Sequence, residues 1–236
     1  MDQQGRWPLI VFEGIDGSGK GTQAKLLVEA LQLSEMPVTL FTFPRYETPT
    51  GKIVATCLRG EHGNFVEWPP KLAALPFAVD RLEAQAELRE ALWSGAVVCD
   101  RYVHSNVAHQ GAKCCGEERR AIIDWIEQFE FNVLVLPRPD FVLWLDMPVR
   151  QATELVGAKM ERTQLEGLKR DQHEANQSYQ QEVATVYAEL AIRPEWRIVR
   201  CSPTSTPRTP EQIQAEIVEK LGQRFPQLFQ SAPALP

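Results

Sequence analysis

A glycine-rich run that ends in a lysine is the segment best suited to chemistry: Gly14-Ile15-Asp16-Gly17-Ser18-Gly19-Lys20. It follows a predicted strand, opens a predicted helix and fits the pattern G-x4-G-K. Glycines let backbone N–H groups turn inward around an anion, and a helix N-terminus adds about half a positive charge. Lys20 supplies a full charge near the β and γ phosphates. The segment therefore predicts a loop that binds a nucleoside triphosphate. The strand and the amphipathic helix around it disfavour the alternative, an ordinary glycine-rich turn.

The residue after this lysine departs from the usual pattern. A serine or threonine that ligates magnesium is usual there, whereas this chain has Gly21, with Thr22 one place later. The sequence GKGTQ at residues 19–23 is similar to that of adenylate kinases and related monophosphate kinases. It implies an Mg²⁺ ion held largely by water and phosphate, and it weighs against a GTPase switch protein.

A second pair of reactive residues, Asp100 and Arg101, ends a predicted strand. A carboxylate at the carboxyl end of a parallel strand, beside a phosphate-binding loop, is placed to organise Mg²⁺ directly or through water. The guanidinium of Arg101 is able to hold a phosphate through its fork of donors. Taken alone, such a pair favours a surface ion pair over a functional site.

Five short apolar segments, which alternate with helix-length segments, predict the elements that position these residues. The strands are predicted at residues 9–13, 38–43, 96–100, 141–146 and 197–200, and helices at 20–33, 71–93, 117–129 and 211–221. Continuously apolar strands that alternate with helices indicate an α/β fold with a parallel sheet covered on both faces. We expect one domain over residues 1–225 and a flexible tail at 226–236. Residues 48–70 and 157–176 interrupt the alternation and are predicted to be insertions; the second, highly charged, is the candidate lid.

Composition restricts the class of protein. A net charge of −6 argues against a general nucleic-acid or membrane surface. The five cysteines are odd in number and show no CxxC spacing, which favours a reducing compartment over a disulfide scaffold or a zinc site. No secretory signal or membrane span is evident, so we expect a cytoplasmic protein.

Five segments, two of which include residues described above, occur in this order: FEGID at 12–16, FPR at 43–45, FAVDR at 77–81, DRYVHSNVA at 100–108 and PDFVLWLD at 139–146. Together they resemble the thymidylate kinase family over residues 9–221. The resemblance implies a five-stranded parallel P-loop sheet, a homodimer, and transfer of the γ-phosphoryl group of ATP to dTMP with Mg²⁺. The acceptor phosphate is already an oxyanion, so no strong general base is required.

The resemblance also implies roles for individual residues. Asp16 would receive the 3′-hydroxyl of the deoxyribose, and Glu13 would buttress the loop. Arg45, which follows Phe43 and Pro44 in the second motif, would clamp the 5′-phosphate together with Arg101. The remaining contacts would surround the base: Phe77 by stacking, Arg81 by donating to a carbonyl, Ser105 and Gln110 at the base edge, and Asn176 and Tyr179 by closing over it.

Helical periodicity gives an independent argument for Phe77 and Arg81. Leu72, Val79 and Leu82 form part of an apolar stripe that predicts the core-facing side of this helix, and Phe77 and Arg81 lie on roughly the opposite side. A phenylalanine off the core stripe suits a stacking platform. Burial by the 48–70 insertion or at a dimer interface is the alternative.

The phosphate loop lacks an arginine, so a cation for the transition state must come from elsewhere. The charged segment at 157–176 resembles the arrangement in which lid arginines supply it, and Arg162 and Arg170 are the candidates. A solvated helical face is the alternative for either residue.

Two other functions remain open from the sequence. One is a kinase for dUMP, dCMP or a deoxynucleoside, although paired arginines favour an acceptor that already carries a phosphate. The other is a P-loop protein that uses its nucleotide as a switch, against which Gly21 and the lid segment argue.

Overall fold

The computed structural model of the chain describes residues 5–163, 177–204 and 206–229. Within these ranges, five strands form one fully parallel sheet: β1 (Leu9–Glu13), β2 (Val38–Thr42), β3 (Ala96–Asp100), β4 (Phe141–Asp146) and β5 (Trp196–Arg200). Their order across the sheet is β2-β3-β1-β4-β5. Residues of β1 are all buried, as expected for a strand covered on both faces. The predicted α/β class and five-stranded parallel sheet are confirmed.

Helices flank this sheet, and their bounds in the described residues follow in chain order. They are α1 (Lys20–Leu33), α2 (Pro49–Leu58), α3 (Pro70–Glu83), α4 (Gln85–Ser94), α5 (Val103–Gly111), α6 (Gly116–Glu127), α7 (Val149–Thr163), α8 (Gln177–Leu190) and α9 (Pro210–Arg224). Two 3₁₀ turns, at Phe65–Glu67 and Pro226–Leu228, and a π-helical turn at Gln128–Val133 complete the set. None of the described helices is long and apolar enough to span a membrane.

The strand pairing determines where the reactive residues meet. Phe12 of β1 lies opposite Asp100 of β3, and Glu13 lies opposite Trp144 of β4. The carboxyl ends of these parallel strands therefore share one edge of the sheet. The phosphate loop and the Asp100-Arg101 pair follow directly from that edge, which is where ligands bind in open α/β sheets.

The prediction of a single helix over residues 71–93 is wrong in two respects. The segment forms α3 and α4, separated at Ala84. The predicted core stripe faces outward, since Leu72 is 50% exposed, Val79 43% and Leu82 39%. The helix instead buries small alanines together with Asp80 and Arg81. The buried side of α3 is thus the side that other elements pack against, and the larger apolar side chains of the helix do not mark it.

The segment at 48–70, predicted to be an irregular insertion, contains α2 and a 3₁₀ turn. Thr48 caps α2 by accepting a hydrogen bond from the backbone N–H of Gly51, and Pro49 begins the helix. The apolar residues of this segment form a second, smaller core with α3, made of Val54, Cys57, Leu58, Phe65 and Ala73, against which Trp68 and Phe77 pack. Residues 48–70 are therefore folded and pack against α3 through this second core.

The end of the domain also differs from the prediction. Helix α9 begins with a capping box formed by Thr209 and Gln212, and it runs to Arg224. The following turn, Pro226–Leu228, places Leu228 fully in the core. The predicted boundary at residue 225 is therefore too early, and residues 230–236 lie outside the described part of the chain.

Candidate active site

The phosphate loop has the backbone geometry that its glycines predict. Gly14, Gly17 and Gly19 have positive φ angles of 145°, 83° and 93°, a region that side chains with a Cβ rarely adopt. A Cβ at Gly17 would overlap the carbonyl oxygen of Ala152 in α7. Gly19 is the N-cap of α1, so the first backbone N–H groups of this helix point into the loop.

Lys20, the first residue of α1, is nearly fully buried under this loop. Its Nζ donates a hydrogen bond of 2.7 Å to the carbonyl oxygen of Ile15. Burial, and then repulsion from Arg101, lower the pKa of Lys20 to about 8, against the attraction of Asp16, Asp100 and Glu13. The lysine is thus cationic near neutral pH and held in place before any anion arrives.

Asp100 stands against the first turn of α1, beside Gly21. A Cβ at Gly21 would lie 2.8 Å from Oδ2 of Asp100. The missing side chain at position 21 therefore leaves room for the carboxylate. Among the described residues, no cluster of three or more acidic, histidine or cysteine side chains is placed to cage a metal. A single carboxylate fits Mg²⁺, which prefers one or two carboxylates completed by water and substrate phosphates.

A buried carboxylate fixes the segment that follows β3. Glu13 accepts hydrogen bonds from the backbone N–H of Tyr102 (3.0 Å), the backbone N–H and hydroxyl of Ser105 (3.0 and 2.6 Å) and the hydroxyl of Tyr187 (2.9 Å). Burial raises the pKa of Glu13, and these donors together with Arg101 oppose the rise. Glu13 was predicted to buttress the phosphate loop, whereas the hydrogen bonds that it accepts come from the start of α5 and from Tyr187 of α8.

Arg101 and Asp16 form an ion pair between two cavities. Nη2 of Arg101 donates to Oδ1 of Asp16, and Nη1 donates to the Ser105 hydroxyl at 3.2 Å. Gln180 of α8 donates to the other oxygen of Asp16 at 3.1 Å. Asp16 and Arg101 line the cavity of the phosphate loop and also a second cavity along α5.

The second cavity, hereafter the acceptor pocket, gathers most of the residues predicted to contact the acceptor. Its aromatic and apolar residues are Phe43, Pro44, Tyr46, Leu58 and Phe77, and its polar residues are Asp16, Arg81, Arg101, Ser105, Asn106, His109 and Gln110. Phe77 is half-buried and packs edge-to-face on Phe65, with ring centroids 5.8 Å apart. The pocket thus has an aromatic wall, a cationic end at Arg101 and amide groups further along α5.

Comparison with known proteins gives the family. The family model described as thymidylate kinase matches residues 12–217. The chain belongs to the thymidylate kinase family. A thymidylate kinase of Mycobacterium tuberculosis is 35% identical over 188 residues, which cover 78% of this chain and 86% of that protein. One of Caenorhabditis elegans is 32% identical over 206 residues, covering 83% and 84%.

A solved structure supports the fold of the family. The thymidylate kinase of Candida albicans superposes with a TM-score of 0.71 and 24% identity, over 95% of this chain and 94% of that one. The recognition of the thymidylate kinase family from five ordered motifs is confirmed.

Arg45 is a predicted site residue that is not among those lining the acceptor pocket. Its backbone N–H and Nε donate to the carboxylate of Asp80 at 3.0 and 3.4 Å. Its guanidinium also lies 3.5 Å from Glu83 and 3.8 Å from Glu87. Arg45, which the resemblance implies as the partner of Arg101 in the phosphate clamp, is therefore paired with carboxylates of α3 and α4 in this structure.

The remaining predicted residues lie behind the pocket or beyond the described structure. The hydroxyl of Tyr179 donates to the carbonyl oxygen of His109 at 2.8 Å, so Tyr179 supports the pocket wall from α8. Arg162 is in the last turn of α7, and its side chain is outside the described part of the chain. Arg170 and Asn176 lie outside the described residues.

Several residues of the site were not predicted. Asn106 and His109 neighbour Ser105 and Gln110 on α5, and helical spacing from those two residues would have found them. Gln180 follows Tyr179 directly. Glu130 has no such signal, because it approaches the site from a π-helical turn 49 positions after Arg81.

The ion pair of Arg81 and Glu130 is the most deeply buried one in the site. Nε and Nη2 of Arg81 donate to the two carboxylate oxygens of Glu130 at 2.6 and 2.7 Å. Both side chains are at most 2% exposed. Removing one partner of such a pair leaves a buried charge and costs about 3–5 kcal/mol. Arg81 is therefore rigidly held where it lines the acceptor pocket.

Proposed function

We propose that this chain transfers the γ-phosphoryl group of ATP to dTMP, giving ADP and dTDP in the synthesis of dTTP. The observation that carries the proposal is the Asp16–Arg101 pair, which borders both the phosphate-loop cavity and the acceptor pocket. In-line transfer requires the two substrates to meet at one point. Membership of the thymidylate kinase family supports the identity of the acceptor.

The donor end of the site uses the loop of residues 14–20, followed by Gly21 and Thr22. The backbone N–H groups at the start of α1 and the buried Lys20 would hold the β and γ phosphates. Mg²⁺, which the family implies, would neutralise charge on the phosphates, and Asp100 would hold it directly or through water. Because Gly21 offers no hydroxyl, the serine or threonine ligand that usually follows the lysine is missing at this position.

The acceptor phosphate would bind at Arg101, with its deoxyribose 3′-hydroxyl on Asp16. Both residues face the junction of the cavities, so a nucleotide held there would point its phosphate at the donor. Arg45 would complete the clamp by exchanging its contacts with Glu83 and Glu87 for the phosphate. Phosphate accepts bidentate guanidinium bonds that are stronger than exposed ion pairs, so this exchange is favourable.

Catalysis would rest on alignment and charge. The phosphate oxygen of dTMP is already an anion, so the protein need not remove a proton before attack. Cations fixed near the moving group stabilise the charge of the transition state and are the largest expected contribution. Lys20 and Arg101 would supply two of these cations, and Arg162 or Arg170 of the lid, near residues 157–176, would add a further cation while water is excluded.

A homodimer is the proposed assembly. Leu72, Val79 and Leu82, which we call the apolar stripe, lie within about 80° of one another around α3. Each is at least 39% exposed. A second copy would cover the stripe with its own, as a two-fold interface requires. Neither nucleic acid nor a membrane is a proposed partner.

A cytoplasmic location is proposed on the state of the thiols. The five cysteines are free, and four of them are buried. Unpaired cysteines are typical of a reducing compartment.

A panel of acceptors tests the proposed activity. ADP release is measured in a coupled assay with ATP, Mg²⁺ and one of dTMP, dUMP, dCMP, AMP or thymidine. We expect dTMP to give the highest kcat/KM and dUMP to follow by about 10–200-fold, since one methyl group is worth about 1–3 kcal/mol. Thymidine should be inert, because it leaves Arg101 without a phosphate. ADP release that is independent of acceptor, or strongest with AMP, would contradict the proposal.

A further inference from the structure

A threonine at the end of β2 stands next to the carboxylate that is the candidate for Mg²⁺. Gly21 occupies the position at which a serine or threonine usually supplies a hydroxyl to the metal. Thr42, the last residue of β2, is paired in register with Asp100 of β3. Gly21, Asp100 and Thr42 all line the cavity of the phosphate loop. A hydroxyl is therefore available at this cavity from a different element of the fold.

The pleat of the sheet determines the side to which Thr42 points. Side chains alternate along a strand, and residues paired in register on neighbouring parallel strands share one face of the sheet. Thr42 thus shares a face with Asp100, and Leu40, two residues earlier, lines the same cavity. The rings of Phe41 and Phe43 stack with centroids 6.2 Å apart, and Phe43 lines the acceptor pocket instead. The end of β2 therefore presents its threonine to the phosphate-loop cavity.

The position of Thr42 is fixed, but its hydroxyl is available. The backbone N–H of Phe43 donates a hydrogen bond of 3.0 Å to the carbonyl oxygen of Asp100, which holds the end of β2 beside β3. Thr42 is exposed, and within the described structure its hydroxyl has no hydrogen-bond partner. A Cβ at Gly21 would have only atoms of Asp100 within 4 Å among the described residues outside α1. Thr42 therefore lies more than 4 Å from that point, a distance that a water molecule on the metal would bridge.

We propose that Thr42 is a positioning residue for Mg²⁺: its hydroxyl accepts a hydrogen bond from a water ligand of the ion and so compensates for the hydroxyl that Gly21 lacks. The inference rests on the proposed function, because it takes the phosphate-loop cavity to hold Mg²⁺ together with ATP. Mg²⁺ keeps several of its waters when it binds a protein, and groups that hold the ligands of a metal orient them. A threonine hydroxyl is able to accept from such a water.

Thr22 carries the other hydroxyl near Gly21, and helix geometry argues against it. Consecutive residues of an α-helix lie about 100° apart around its axis. Because Gly21 faces Asp100, Thr22 is directed away from that carboxylate, although it lines the same wide cavity. Thr42 and Thr22 therefore make different predictions for one measurement.

The experiment measures how Mg²⁺ changes the affinity for nucleotide. The dissociation constant of a non-hydrolysable ATP analogue is determined by isothermal titration calorimetry in EDTA and in Mg²⁺, and the ratio of the two constants is the metal effect. Thr42→Val keeps the β-branched shape and removes the hydroxyl. It should lower the metal effect about tenfold, because loss of a group that holds a metal ligand typically costs 10–100-fold in metal affinity. Its affinity in EDTA should stay unchanged.

Two further variants serve as controls. Thr42→Ser keeps the hydroxyl and should retain most of the metal effect. Thr39→Val makes the same substitution on the same strand, three residues earlier, where the side chain is also exposed but points to the opposite face. It should leave the metal effect unchanged.

The results separate the two proposals. If the unmodified protein releases no ADP from ATP in response to dTMP, the proposed function fails and the role of Thr42 fails with it. If it does release ADP, but Thr42→Val has the metal effect of the unmodified protein, only the role of Thr42 is overturned. An equal loss of affinity in EDTA and in Mg²⁺ would also overturn it, since that result shows a purely structural role. A lowered metal effect in Thr22→Val alone would assign the hydroxyl to Thr22. Should Thr42→Val not fold, as judged by circular dichroism, Thr42→Ala decides by the same ratio.

Discussion

The protonation of Lys20 should control the affinity of the protein for ATP. Burial lowers the pKa of this lysine to about 8 in the nucleotide-free protein. Bound phosphates stabilise the cation and raise its pKa, so the cationic form is the one that binds. As pH rises through 8, the free protein loses this proton and must recover it in order to bind ATP. Affinity is therefore full below the free-state pKa and falls above it.

Linkage gives the size of the effect. With a free-state pKa of about 8 and a bound-state pKa at or above the usual value for lysine, the dissociation constant rises about tenfold from pH 7 to pH 9. The constant is measured by isothermal titration calorimetry with Mg²⁺ and a non-hydrolysable ATP analogue between pH 6.5 and 9.5. Proton uptake above pH 8 should appear as a dependence of the heat on the ionisation enthalpy of the buffer.

Lys20→Arg is the matched control for this titration. A guanidinium stays charged throughout the range, so the dissociation constant of this variant should be nearly independent of pH, even though its value is higher. Lys113 also has a pKa lowered to about 8, chiefly by burial, but it is unchanged in the variant. A flat profile for the unmodified protein, or an equal slope in the arginine variant, would refute the role assigned to Lys20.

Three further predictions concern Gly21, the lid arginines and the proposed dimer interface. Gly21→Ser places a Cβ 2.8 Å from Oδ2 of Asp100, so the carboxylate must move. Turnover should fall at least tenfold with little change in the KM of dTMP. Steady-state kinetics over a range of Mg²⁺ concentrations would show this fall. Arg162→Ala or Arg170→Ala should lower turnover at least tenfold at unchanged dTMP affinity, because an arginine that stabilises the transition state contributes about 10³–10⁵ in rate. Full turnover in both variants would exclude a catalytic role for the lid arginines. Val79→Asp should give monomers in analytical ultracentrifugation, since a carboxylate would be desolvated within the apolar stripe, and a persistent dimer would exclude this face as the interface.

Local sequence alone specifies the conformation of the phosphate loop and the positions of the strands. The positive φ angles of Gly14, Gly17 and Gly19 follow from their type, and Lys20 follows from its place at the start of α1. Strand positions were predicted within one residue at each end, because apolar runs in a covered parallel sheet are continuous. Phe77 and Arg81 were predicted to share one side of a helix, and both line the acceptor pocket.

The prediction failed where burial depends on distant neighbours. The apolar stripe was taken for the core side of α3, yet that side is exposed and Asp80 and Arg81 are buried. Hydrophobic periodicity shows that a helix has an apolar face, but it does not tell whether the core or another subunit covers that face. Residues 48–70 were likewise judged irregular, although their apolar residues fold against α3 as a second core.

By itself, the sequence determined the phosphate loop, the strand and helix alternation and the family, because each is encoded by residues that are adjacent or a few positions apart. Only the tertiary structure decided that Glu130 accepts hydrogen bonds from Arg81 and Asn106, that Arg45 is paired with Asp80, and that Asp16 and Arg101 line both cavities. These contacts join residues tens of positions apart. No local pattern specifies such pairs, because their geometry exists only once the sheet edge and the helices around it are packed.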